Sequence, residues 1–67
     1  MDVSVEELYQ GRWEARVTVA TPAGLRYFSQ WGPNRTAALL SLRQSLRPYL
    51  GHAYQQAREA VMERALA

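Results

Sequence analysis

The sequence predicts an α+β domain: a three-stranded antiparallel sheet packed on a helix, followed by a second C-terminal helix or by the far half of one long kinked helix. Three observations predict it. Arg12 to Thr21 alternates in side-chain character with a period of two, breaker residues punctuate the chain at 21–24 and 32–33, and Leu39, Leu42 and Leu46 recur at helical spacing. The 67 residues form one small domain, divided into a β-meander (1–32), a helix (34–47) and a C-terminal helix (49–66).

The first strand, over residues 3–9, has the weakest signal, with Val3 and Val5 on one side and Ser4 on the other before Leu8 and Tyr9 blur the phase. After the Gln10-Gly11 turn, Trp13, Ala15, Val17, Val19 and Thr21 share one face of the second strand. Arg12, Glu14, Arg16, Thr18 and Ala20 share the other. Thr21-Pro22-Ala23-Gly24 is turn chemistry, since Pro presets a turn's second position and Gly accepts a left-handed conformation. A three-residue loop there pairs Thr21 with Leu25, Val19 with Tyr27, Val17 with Ser29 and Ala15 with Trp31. In that register Trp31 is a core residue beside Trp13, and Phe28 looks outward with Arg26 and Gln30.

Gly32-Pro33 ends the third strand, and Asn34 is suited to cap the helix that follows. Its stripe is Leu39, Leu42 and Leu46, with Ala38 and Leu50 at nearby phases. Pro48 forbids the helical hydrogen bond to residue 44, so the helix stops or kinks near Arg47. The last helix carries Tyr54, Ala57, Val61 and Ala65 on one face. With little sheet left to cover, it is expected to pack against a second copy of the chain.

Composition limits the chemistry. There is no cysteine to form a disulfide or a thiolate metal site, and His52 alone cannot build a metal cage, so neither metal nor cofactor is expected. A core this small supplies about 3 to 5 kcal/mol, which makes self-association the expected source of further stability. The segment Met1 to Glu7 is acidic where a signal peptide is basic, and no apolar run approaches a membrane span, so a cytoplasmic protein is expected. Catalysis is not expected either. No nucleophile has a base beside it, Glu59 and Glu63 lie on a solvated helical face, and Gly24 and Gly32 are turn glycines rather than a phosphate loop.

All eight basic residues are arginine, against six acids, for a net charge of +2. Both lysine and isoleucine are absent, which fits a GC-rich coding sequence, although arginine's planar fork suits phosphates whatever its origin. The candidate binding residues fall into two sets. Arg12, Arg16, Arg26, Phe28 and Gln30 on the expected outer sheet face, with Arg43 and Arg47 one turn apart on the first helix, are what a nucleic-acid reader offers. Phe28, Tyr49, Tyr54, Val61, Met62 and Leu66 are instead the residues of an expected oligomer interface. Arg43 and Arg47 also read as cations placed near a helix carboxyl end.

Gly11-Arg12-Trp13, Ala15-Arg16-Val17, the turn glycine Gly24 and Thr36-Ala37-Ala38 together resemble the arm-type DNA-binding domains of tyrosine recombinases, over roughly residues 8–46. That resemblance implies a sheet entering the major groove and nominates Arg12, Arg16 and Arg26. The order of elements is similar, more loosely, to HicB-type antitoxins, which implies dimerisation and a protein partner. The reading is therefore a non-enzymatic interaction module, a homo-oligomer binding a macromolecular partner, with nucleic-acid binding as the alternative.

Overall fold

In a computed structural model, which describes residues 2–67, the chain runs β1 (Val3–Tyr9), β2 (Arg12–Thr21), β3 (Gly24–Gly32), α1 (Arg35–Ser45) and α2 (His52–Leu66). The sheet is antiparallel in the order β1-β2-β3, with both helices on one side of it. This is the α+β architecture that the periodicities predict. Ala15, Val17 and Val19 of the central strand meet Ala38, Leu39, Leu42 and Leu46, and Ala57 and Val61 of α2 complete the buried core. Val3, Val5, Trp13 and Phe28 line its margin.

The β2–β3 turn departs from the expected register. Its loop has two residues, Pro22 and Ala23, so Thr21 pairs with Gly24 rather than with Leu25. The Thr21 hydroxyl accepts from the Ala23 N–H at 3.2 Å and donates to the Gly24 carbonyl at 2.8 Å, closing the turn from both sides. Gly24, with φ of +119°, is a strand residue and not the last residue of the loop. A slip of one residue turns every side chain of β3 over. Val17 lies opposite Phe28, Val19 opposite Arg26 and Ala15 opposite Gln30 on the helix side, while Glu14 faces Trp31 and Thr18 faces Tyr27 on the bare side. The expected phase, with Trp31 inward and Phe28 outward, is overturned.

The strand-to-helix corner explains the Gly-Pro-Asn sequence there. A Cβ on Gly32 would lie 2.5 Å from the Ala38 nitrogen and 2.8 Å from the Ala37 carbonyl carbon, so only glycine lets α1 start this close to the sheet. Asn34 caps α1, its Oδ1 accepting from the Ala37 N–H at 2.8 Å.

Pro48 separates two helices rather than kinking one. Arg58 Nη1 reaches back from α2 to donate to the carbonyls of Leu46 and Tyr49, at 3.0 and 2.9 Å, and so satisfies backbone acceptors at the C-cap of α1 and in the turn that follows it. The face of α2 expected to meet a second copy is instead buried at home, with Ala57 and Val61 sealed against the sheet and α1. Leu50, assigned by its phase to the helix stripe, lies outside the helix and is 88% exposed.

Two stability measurements check this packing. Phe28→Ala should lower unfolding free energy by at least about 2 kcal/mol in urea titrations, whereas Trp31→Ala should change it by less than about 1 kcal/mol; the reverse ranking would contradict the register. Gly32→Ala should cost about 1 to 3 kcal/mol, because neither backbone atom it meets can move without shifting α1.

Candidate functional site

With the helices gathered on one side, the other side of the sheet is left bare. It displays Ser4 and Glu6 of β1, Arg12, Glu14, Arg16, Thr18 and Ala20 of β2, and Leu25, Tyr27, Ser29 and Trp31 of β3. Tyr27 is 74% exposed, Leu25 59% and Trp31 40%. Tyr9 joins them, because the bulge between Glu7 and Tyr9 brings it opposite Arg12. Alternation places each residue; the two-residue turn selects which alternate set faces out.

Charge on this face is balanced. Glu6 and Glu14 sit directly opposite each other, an unfavourable pairing in itself, and Arg16 lies between them at 3.1 Å from Glu6 and 3.6 Å from Glu14. Arg16 and Glu6 are both more than half exposed, so the trio organises the face more than it stabilises it. Arg12 stacks on Trp31, with its guanidinium carbon 5.0 Å from the ring centre. A shallow hollow of about 420 Å³ crosses the strands beside Ser4, Arg16, Thr18, Tyr27 and Ser29.

The seven residues nominated for nucleic acid do not form one surface. Only Arg12 and Arg16 lie on the bare face, and both are engaged. Phe28 and Gln30 turn to the helix side and are half-buried; Arg26 turns with them and lies over the rings of Phe28 and Tyr49 at 5.8 and 5.6 Å. Arg43 lines a groove between α1 and α2, and Arg47 is exposed beside Gln44. Correcting the phase of β3 thus removes Arg26, Phe28 and Gln30 from the proposed contact surface.

The nominated oligomer residues divide as well. Phe28, Tyr49 and Tyr54 form an aromatic cluster within one chain, with Tyr49 stacked on Tyr54 at 5.0 Å and Phe28 edge-on to both. Val61 is fully buried in the core, so it offers no surface to a second chain. Met62, half-buried, and Leu66, 81% exposed, stay at the helix groove of about 440 Å³, whose walls also carry Arg43, Arg58, Glu59 and Glu63.

Tyr27, Leu25 and Trp31 are the surface residues that sequence reasoning missed. The segment Leu25 to Trp31 has a more apolar alternate set, Leu25-Tyr27-Ser29-Trp31, and a more polar one, Arg26-Phe28-Gln30. Burial of the apolar set is the ordinary expectation, and the structure turns the other toward the helices. The signal available was the Thr21 hydroxyl, which favours the tighter turn.

Among the described residues, no group of three His, Cys, Asp or Glu side chains is placed to hold a metal ion. No described helix is long and apolar enough to cross a membrane. Comparison with family models, with curated proteins and with solved structures found no match to this chain.

Proposed function

We propose that this chain is a non-enzymatic, cytoplasmic interaction module that forms a homo-oligomer and offers the bare face of its sheet to a protein partner. One observation carries the reading: β3 exposes its more apolar side, with Tyr27, Leu25 and Trp31 in solvent, while Arg26, Phe28 and Gln30 face the helices. A conflict between local patterning and global fold costs stability and marks surfaces kept for binding. Trp, Tyr and Arg are also the residue types that dominate binding energy at protein interfaces.

Charge favours a protein over a polyanion. On the strands of the bare face Arg12 and Arg16 are offset by Glu6 and Glu14, so the face has no net positive field to draw in phosphates. A second reading retains nucleic acid as the partner, because exposed Tyr27 and the Arg12–Trp31 stack provide platforms on which unpaired bases can lie.

Light scattering at micromolar concentration should report an oligomer; a stably folded monomer throughout that range counts against self-association. Fluorescence anisotropy with labelled single- and double-stranded oligonucleotides at low salt should show no binding. Salt-sensitive binding that is lost in Trp31→Ala would replace the protein partner with nucleic acid. Affinity capture should retain proteins on the wild type that Trp31→Ala and Tyr27→Ala release, and an unchanged set would remove the bare face as the docking surface.

A further inference from the structure

The two edges of the sheet are built differently. β1 carries a bulge between Glu7 and Tyr9 and two adjacent acids, Glu6 and Glu7. Bulges and edge charges are devices that stop a sheet from adding strands. β3 has no bulge and only one charged residue. Its residues from Gly24 to Gly32 pair with β2 without a register shift, include no proline, and carry one charge, Arg26. Among the described residues β3 is hydrogen-bonded to β2 alone, so its other side is a row of unused backbone donors and acceptors.

We infer that β3 is the edge at which two copies of this chain pair, antiparallel and related by a two-fold axis, into one continuous six-stranded sheet. The inference rests on the self-association proposed above and names the surface responsible. The strand's own sequence selects a second copy as the occupant. Full overlap of its nine residues sets Gly24 of one copy opposite Gly32 of the other and centres the two-fold axis on Phe28. Leu25 then faces Trp31, and Tyr27 faces Ser29, on the bare side, while Arg26 faces Gln30 on the helix side. Each end of the junction gains an aliphatic–aromatic cross-strand pair, and no like charges meet. Centring the axis on Arg26 instead would set that arginine against itself. The pairing also joins the exposed stripes of both copies into one aromatic surface, which enlarges the face available to a partner. Because one strand edge is smaller than a standard interface, the dimer should dissociate in the micromolar range.

Sedimentation velocity across that range, combined with amide hydrogen exchange, tests the pairing. Wild type should dimerise, and amides of β3 should gain protection as concentration rises while those of β1 do not. Ser29→Lys and Tyr27→Lys each place a charge at the junction and should raise the dissociation constant at least tenfold, with the circular dichroism spectrum unchanged. Thr18→Lys, on the central strand of the same face, should leave the dimer intact. Equal disruption by Thr18→Lys means the copies stack face to face, which overturns edge pairing, as does concentration-dependent protection confined to β1 or α2. Either result leaves self-association standing, whereas a monomeric wild type removes both.

Discussion

The Thr21 hydroxyl is a small group on which the rest of the structure depends. By accepting from one side of the Pro22–Ala23 turn and donating to the other, it closes the two-residue loop, whose length sets the β2–β3 register. That choice directs Phe28 beneath the helices, where its ring closes a cluster with Tyr49 and Tyr54, and it directs Trp31 outward to meet Arg12. Arg26 follows Phe28 to the helix side, and the stacked position of its guanidinium over two rings lets it stay near the core margin without being buried. A three-residue loop would exchange all of these positions at once.

The second helix closes the core within the chain. The α2 stripe is made of small residues, Ala57, Val61 and Ala65, and such a stripe lets a helix come close enough to fill the end of a narrow two-layer core. Pro48 breaks the helical path, and Arg58 ties the break shut by bonding the Leu46 and Tyr49 carbonyls. With the apolar side of α2 used internally, the surfaces left for other molecules are the bare sheet, its β3 edge and the shallow helix groove at Met62 and Leu66.

Those surfaces differ in kind. The helix groove is rimmed by charges of both signs, with Arg43 and Arg58 against Glu59 and Glu63, and its apolar area is limited to Met62 and Leu66. The bare sheet concentrates aromatics around a neutralised arginine, a composition that suits contact with another protein more than it suits a phosphate backbone. Exposure of the more apolar side of β3 has a physical cost, which the binding role proposed for that side would offset.

The three strands, the first helix and their order were legible in the sequence by itself, because they rest on local rules: alternation in Arg12 to Thr21, the Asn34 cap and the leucine spacing of α1; that Pro48 separates two helices rather than kinking one was decided by the tertiary structure. Arg12 and Arg16 were also legible as residues of the bare face, since the phase of β2 follows from its own pattern. The phase of β3 was not. Its more apolar alternate set, Leu25-Tyr27-Ser29-Trp31, points periodicity to the wrong face, and the phase follows instead from the two-residue turn closed by the Thr21 hydroxyl, which periodicity does not register. Whether α2 served its own core or a second copy was likewise a tertiary decision, because an alanine-rich stripe fits either neighbour and only the space left beside α1 and the central strand determines which one it meets.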